Sequence, residues 1–592
     1  MYYHDIYDLI TSEEANFKLP IPIMENYEWS MYDHIKTTVL YKNSIYKSGK
    51  DDNKPFKNIL RPILNLQYRA EGFDVKDIVL YINDQYKYFK SFLVNKYHDI
   101  WARENHIDTF IDDMVESYVD FGGALIKDVR EIAPEVVPWQ RIVFCDQTDI
   151  LSGPIAEKHY YSPDQLQEMS KKGWENIDEV ILLSRKENDT KTVDSMTGRK
   201  AKTPGKYIEV YEVHGMLPKS WLKDSEGDES EEYVRQVHIC TFYQDENKNK
   251  KGITLFSSKE SELPYKLVLR DKIYGRALGL GGAEELFEPQ VWTNYDIIHI
   301  KKMLDQASKI IYQTADPAFA NRNKTTDLED GEILVTEEGK PIVQINTTPV
   351  NLQVFNDSVE RWEQHARQMG SAQEAIMGDQ PPAGTPFKSV ELQAFEGHSI
   401  HEYRKGKLAT FLDEVYQDWI IPKIARVVSH EKEFIATLDF EELQQVADGL
   451  VKCETNKMVK EMILNGEVPT EEDILKHEDM VRKDFLSGGS KRFMKILEGE
   501  MKDAPMRIEI NIAGKQKDMP AYTDKLVNVF RTIVANPAVL QNPAMAKIFN
   551  EILESSGLSP LDFYGLTSVP IQTLQQNPQM EMNQKSEMTP MV

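Results

Sequence analysis

The sequence predicts an α+β protein in which two amphipathic helices enclose a small β module. Three observations carry this. Residues 284–313 repeat apolar side chains at helical spacing (Val291, Tyr295, Ile298, then Ile300, Leu304, Ala307 and Ile311), and residues 355–377 do so with Phe355, Val359, Trp362, Ala366, Met369 and Ile376. Between the stripes, residues 333–336 and 341–345 flank Glu337-Glu338-Gly339-Lys340, a polar turn with its glycine that reads as a β-hairpin. Upstream, from Gly123 to about residue 270, segments 207–213, 237–242 and 267–270 alternate or run apolar, punctuated by Gly, Asn and Lys. Each helical stripe needs a partner, because its opposite face carries mixed charge and amides.

The remaining elements follow in order. Residues 1–50 are Tyr-rich with poor periodicity, and read equally as an arm clamping a neighbouring subunit or as a packed terminal extension. Residues 55–135 are mostly helical (Tyr81, Gln85, Tyr88, Phe92, then Phe110, Met114, Tyr118), ending at Gly122-Gly123. After the second stripe, Gly378-Asp379-Gln380-Pro381-Pro382-Ala383-Gly384-Thr385-Pro386 is too rich in Pro and Gly to be helical. Thr385 suits an N-cap with Pro386 at the first helical position, opening a helix to about residue 430. Leu408, Phe411, Leu412, Val415 and Trp419 share its buried face, and Pro422 should kink or split it. Residues 431–514 hold a helix near 443–464, a Gly488-Gly489 break and a strand at 507–512. A last helical unit spans 520–557 with a break at Asn536-Pro537, and the Gln-, Asn-, Met- and Pro-rich stretch 571–592 should be disordered.

Composition bounds function loosely. With 592 residues, 41% hydrophobic and 28% charged, the chain is a multi-module soluble type with ample core. No apolar run reaches the length of a membrane span, and the first residues lack a signal-peptide pattern. The three cysteines (Cys145, Cys240, Cys453) match no zinc or redox spacing and read as buried free thiols. A net charge of −26 argues against binding nucleic acid by phosphate neutralisation. It suits a conduit, whose acidic wall keeps a sliding duplex from sticking, but taken alone it favours a plain acidic protein.

A search for chemistry returns no catalytic centre, cofactor motif or metal spacing. Gly49-Lys50, Gly205-Lys206, Gly339-Lys340, Gly406-Lys407 and Gly514-Lys515 all lack the upstream Gly and following Ser/Thr of a phosphate-binding loop. The Gly275–Gly282 cluster fails the dinucleotide spacing and reads as a tight turn before a packed helix. His401-Glu402 and His430-Glu431 read as surface polar residues, and Asp112/Asp113 and Asp146/Asp149 as solvated or turn-forming carboxylates. Lys388, the group Arg404, Lys405 and Lys407, and Lys301 with Lys302 could touch a DNA backbone; ion pairing within or between subunits is the favoured reading.

Four stretches together resemble the phage portal (head-to-tail connector) family. Tyr274-Gly275-Arg276-Ala277-Leu278-Gly279-Leu280-Gly281-Gly282-Ala283-Glu284, with Gln290 and Asn294, looks like the small-residue loop opening a portal stem helix. Tyr118-Val119-Asp120-Phe121-Gly122-Gly123-Ala124-Leu125-Ile126 resembles the helix-to-strand step of a portal wing. It is followed by Pro138 to Asp149 and by Ile155-Ala156-Glu157-Lys158-His159-Tyr160-Tyr161-Ser162-Pro163, in the family's order. The resemblance covers most of residues 55–430.

The resemblance implies a portal-type protomer assembling as a ring, usually of twelve copies. Its parts would be an N-terminal arm and α/β wing (1–283), a first stem helix (284–313), a clip (314–354), a second stem helix (355–377) and a tunnel loop (378–388). A returning wing segment with a long kinked helix (389–514), a helical crown (515–570) and a disordered tail (571–592) would complete it. Stem packing would use Ile300, Leu304, Ile311, Phe355, Val359, Trp362, Ala366 and Met369. Gln380, Pro381, Pro382, Gly384 and Lys388 would approach double-stranded DNA in the channel. Asp327, Glu329, Asp330, Glu332, Glu337 and Glu338 would offer an acidic clip surface to the terminase large subunit, then to head-completion, adaptor and tail proteins, while the ring sits in the major capsid protein shell. Such a protein acts at a capsid vertex of the virion, is assembled in the host cytoplasm, needs no membrane and has no catalytic centre of its own. The competing reading is a non-channel helical scaffold or minor capsid protein.

Overall fold

The computed structural model describes residues 3–45, 56–82, 87–129, 132–186, 191–193, 200–202, 207–222, 232–244, 250–309, 311–315, 317, 338–345, 352–372, 387–428, 433–466, 468–495 and 506–510. The chain divides into a unit of residues 1–512 and one of 513–592, and the described residues all lie in the first. Helices and small antiparallel sheets alternate along it, so the class is α+β. The expected crown and tail lie outside the described residues.

The N-terminal segment is packed into the body of the chain, as a terminal extension rather than a loose arm. Helix α1 (Ile6–Asn16), the hairpin β1 (Ile21–Met24) and β2 (Tyr27–Trp29), and α2 (Met31–Lys42) bury Ile10, Met31 and Ile35 in one cluster with Trp139, Ile155 and Val213. Gln147 ties the segment down, donating to Phe17 O (3.2 Å) and Leu19 O (3.0 Å) and accepting from Met31 N (2.9 Å). Helix α3 (Leu60–Glu71), β3 (Ile78–Ile82), α4 (Lys87–Glu104) and α5 (Ile107–Phe121) follow, and α5 sends Phe110, Met114 and Tyr118 into the main core at helical spacing.

The expected step after Tyr118 is present. Gly122 adopts φ +77° and turns α5 directly into β4 (Gly123–Lys127). A Cβ there would stand 2.3 Å from Gly279 O, and one on Gly281 would stand 2.3 Å from Asp120 O. The glycine-rich loop predicted as a tight turn therefore packs backbone against backbone with the end of α5. Arg276 locks it, donating to Leu278 O (3.0 Å), Gly279 O (2.9 Å) and both oxygens of Glu284.

Strands β5 (Glu135–Val136), β6 (Ile142–Phe144) and β7 (Ile155–Tyr161), helices α6 (Pro163–Ser170) and α7 (Ile177–Lys186), and the short pair β8 (Lys191–Val193) and β9 (Lys200–Lys202) lead to three long strands. These are β10 (Ile208–Pro218), β11 (Tyr233–Gln244) and β12 (Lys250–Lys259). They form an antiparallel sheet ordered β12-β11-β10-β7-β6, while β13 (Tyr265–Leu269) joins β4 and β5. Alternation on β10 sends Tyr211, Val213 and Leu217 to the N-terminal cluster and Ile208 and Val210 to a second cluster under α6 and α7.

The short α8 (Gly282–Glu285) and then α9 (Phe287–Ala307) start the first predicted stem helix, which stops six residues short of its expected end. Residues Ile311–Gln313 instead form β14, paired antiparallel with β15 (Val343–Ile345). Of the expected hairpin, residues 343–345 are a strand and pair with 311–313, while its other arm, 333–336, lies outside the described residues. The second helix, α10 (Leu352–Met369), starts three residues earlier than expected and ends at Gly370 and Ser371, the latter at φ 52°. Ile376 and the tunnel-loop residues up to Pro386 lie outside the described residues.

Helix α11 (Phe387–Val415) passes through a π-helical turn at Tyr416–Ile420 into α12 (Ile421–Val428). Pro422 has no N–H to return to the preceding turn, and the wider turn lies just before it. Leu408, Leu412 and Val415 are fully buried on the predicted face. Strand β16 (Glu433–Thr437), α13 (Phe440–Leu464), α14 (Glu471–Ser487), β17 (Lys491–Lys495) and β18 (Met506–Ile510) close the described chain, with β17 on β16 and β18 on β3. The Gly488-Gly489 break ends α14, and the three cysteines are buried and free. No helix among the described residues is long and apolar enough to cross a membrane.

Candidate functional site: a helical hairpin and its base

Helices α9 and α10 pack antiparallel, joined by three rungs. Trp292 stacks on Trp362 (centroids 6.2 Å apart, 10° between planes) and His299 on Phe355 (5.8 Å, 11°). Between them Ser358 Oγ donates to Asp296 Oδ2 at 2.6 Å. Each stacked pair contributes about 0.5–1.5 kcal/mol beyond its buried area. Trp362 was expected to pack in a seam with other helices; part of its face is already taken by Trp292 of the same chain.

The buried face of α9 is polar. Gln290 Oε1 accepts from Ile59 N (2.9 Å) and Leu60 N (3.3 Å), satisfying amides at the start of α3, where Ile59 offers no side-chain cap. Its Nε2 donates to Lys57 O (2.7 Å), and Asn294 Oδ1 accepts from Lys57 N (3.0 Å). The exit of α10 meets the same helix: Gln67 Nε2 donates to Gly370 O at 3.1 Å, and a Cβ on Gly370 would stand 2.4 Å from Ile63 Cγ2. Both ends of the hairpin are therefore rooted on α3.

Beneath this root lies a buried charge network. Glu71 receives Arg270 Nη2 (2.8 Å) and Nε (3.1 Å) and His401 Nδ1 (3.0 Å). Arg404 donates to Asp271 (2.7 and 3.0 Å) and to Glu285 Oε1 (3.1 Å), and Lys407 Nζ donates to Arg270 O (2.7 Å). Burial pushes the Glu71 carboxyl up, but the His401 bond and the Arg270 charge outweigh it and hold it below the usual carboxylate value. At Glu285 burial prevails over Arg404 and Arg270, and its value rises. His401 was expected at the surface; at 1% exposure it is a core residue of this network. Arg404 and Lys405 are buried as well, so Arg404, Lys405 and Lys407 serve the interior and present no free basic patch to DNA.

The other expected site residues divide by position. On the hairpin, Val359 and Ala366 are buried, Ile300, Phe355 and Trp362 half-buried, and Leu304 and Met369 exposed. Ile311 lies on β14 and not on a helix, because the chain leaves helical geometry after Ala307. Lys388 falls in the first turn of α11. Glu338 is exposed in the turn with Gly339 (φ 80°), whereas Asp327, Glu329, Asp330, Glu332, Glu337, Gln380, Pro381, Pro382 and Gly384 lie outside the described residues. Asp146 accepts from Thr148 N (2.7 Å) and Oγ1 (2.6 Å), the turn-forming role expected of it. Sequence reasoning missed Trp292, His299, Glu71 and Arg270. An aromatic stripe at helical spacing (Trp292, Tyr295, His299) was the available signal for the first two.

Large apolar side chains remain in solvent along the hairpin, including Trp292 (44% exposed), Tyr295 (53%), Leu304 (50%) and Val354 (65%). Lys301 and Lys302 are exposed between them on α9.

No family model and no curated protein matches the chain. Among solved structures, it is similar to a chain of the virion of a native gene transfer agent particle, at TM-score 0.33 and 9% identity, covering 93% of this chain and 99% of that one. It is also similar to a chain from the neck of an empty gene transfer agent particle, at TM-score 0.30 and 10% identity, covering 76% and 96%. Likenesses this distant decide neither fold nor function.

Proposed function

We propose that the chain is a portal-type subunit of a phage or phage-like particle, one copy of a ring at a capsid vertex through which double-stranded DNA is packaged and ejected. The observation that carries this is the inversion of the hairpin, which buries polar side chains against its own base and leaves Trp292, Tyr295, Leu304 and Val354 in solvent. Exposed apolar flanks on a well-anchored element mark association surfaces, and neighbouring copies of the hairpin would cover them. The rigid root on α3 suits a mechanical part that must keep its angle under load.

In this reading the work on DNA is electrostatic and involves no chemistry by this chain; a terminase ATPase would supply the force. A charge of −26 per copy makes a wall that repels phosphate, while Lys301 and Lys302 would form basic rings that centre the duplex. The segment between β14 and α10 would meet the terminase and later an adaptor through its acids, and residues 378–386 would project into the bore. Native mass and negative-stain microscopy test the reading. Twelve copies of 68.4 kDa give a ring of about 820 kDa. A monomer, or a closed oligomer without a central hole, rejects it.

A further inference from the structure

The antiparallel register sets Glu157 of β7 directly opposite Glu212 of β10, and His159 two residues along on the same face. Two carboxylates facing each other across a ladder destabilise it unless cations intervene. Lys127 supplies one positive charge, its Nζ donating to Glu157 Oε1 (2.8 Å) and Glu212 Oε2 (2.7 Å). His159 Nε2 stands 3.1 Å from Glu212 Oε2, the oxygen that Lys127 also reaches, and 3.6 Å from Glu157 Oε2, buried but not aligned for a hydrogen bond to either. One ligand atom from each of the three residues falls within 4.8 Å of the others.

We propose that Glu157, His159 and Glu212 form a binding site for a divalent metal of the zinc type. Tetrahedral bonds of about 2.0–2.1 Å place neighbouring ligand atoms about 3.3 Å apart, and the observed 3.1 and 3.6 Å bracket that edge. An imidazole with two carboxylates is a donor set such metals accept. The surroundings orient the ligands as metal sites require. Tyr265 Oη donates to Glu157 Oε1, and His214 Nε2 holds Glu212 Oε1 at 2.9 Å while its Nδ1 meets Glu260 Oε2 at 2.9 Å. His159 and Glu212 line a cavity of about 880 Å³ that Arg141 and Lys127 also line, so the fourth position opens to water or a small anion. Glu157 and His159 alternate on β7, and Glu212 joins them from the adjacent strand β10, 53 residues on in sequence, so no local motif spacing marked the site.

The site lies on the five-stranded sheet and stands independently of the channel reading. Full-length protein stripped with a chelator, dialysed and titrated with zinc chloride alone tests it, with bound zinc per chain and melting temperature as readouts. The wild type should take one zinc ion and melt higher with it. His159→Gln and Glu212→Gln should each weaken zinc affinity by at least about a hundredfold, and Tyr265→Phe, which leaves all three ligands in place, by about tenfold. Far-UV circular dichroism of the stripped variants should match the wild type. No zinc uptake at millimolar concentration overturns the proposal. So does equal affinity in wild type, His159→Gln and Glu212→Gln, which would place the zinc elsewhere.

Discussion

In the body of the chain, α5 turns Met114, Val119 and Tyr118 inward to zero exposure, and its buried polar groups find partners in the same chain: Ser117 Oγ donates to Gly123 O at 3.1 Å and Tyr118 Oη to Arg404 O at 3.0 Å. In the hairpin, α9 turns Gln290, Thr293, Asn294 and Asp296 inward and sets Trp292 and Tyr295 in solvent. Both helices carry comparable apolar residues, and what differs is which of them the chain itself covers. The body buries the apolar face of α5. The hairpin is fastened by hydrogen bonds at its root and is left apolar along its flank, the feature on which the proposed ring rests.

The largest test of this contrast is at the root. Glu71→Ala leaves Arg270, at zero exposure, and Arg404 short of their shared anion, and should cost about 3–5 kcal/mol in denaturant unfolding. The effect should be equal in isolated subunits and in assemblies, because the network lies within one chain. The same carboxyl sets an acid limb. Its folded value lies below the ordinary 4.5, so its contribution is present above about pH 4.5 and is lost as pH falls through the lowered folded value. Glu71→Gln should flatten that limb, and an unchanged acid profile would remove Glu71 from the account.

A smaller loss is expected at the backbone contact. A Cβ on Gly281 would meet Asp120 O at 2.3 Å, so Gly281→Ala should shift both segments and cost about 1–3 kcal/mol in thermal unfolding. Tolerance without loss would mean that the two glycine segments do not approach so closely.

Trp362→Ala sharpens the comparison from the other side. Removing the rung on Trp292 should cost about 2 kcal/mol, expressed as faster amide exchange in α9 and α10 with exchange in α5 and the five-stranded sheet unchanged. If the hairpin is an assembly surface, ring mass by light scattering should fall at the same time. A uniform loss of protection across α5 and the sheet would show that the two regions fold as one.

The smallest effect should follow Lys301→Glu with Lys302→Glu. Both residues are exposed, so stability should change by less than about 0.5 kcal/mol. Packaged DNA length should become dependent on ionic strength if these lysines line a bore. Identical packaging at every salt concentration would place them elsewhere.

Periodicity made several elements legible from the sequence: α5 with its glycine step into β4, the buried face of α11 and the Gly488-Gly489 break. Each depends on residues within a turn or two, where 3.6-residue spacing and the left-handed tolerance of glycine act locally. The Gln290 and Asn294 pair was visible as a motif, though its role as a cap for α3 was not. Ends and partners were harder to read. The apolar run Ile310-Ile311-Tyr312 extends a helical stripe equally well as a strand, and the pairing of residues 311–313 with Val343–Ile345 decides for the strand.

What the sequence by itself determined was which segments are helical or extended and which faces are apolar, because those follow from short-range spacing. Tertiary structure alone decided the fate of polar groups. His401 is a core residue because Glu71, 330 residues earlier, meets it there. The N-terminal helices pack into the body of the chain because Gln147 reaches Phe17 and Leu19. Glu157, His159 and Glu212 converge because one antiparallel register aligns β7 with β10. Burial makes a charge depend on whichever partner the fold brings within reach, and long-range pairing leaves no trace in local periodicity.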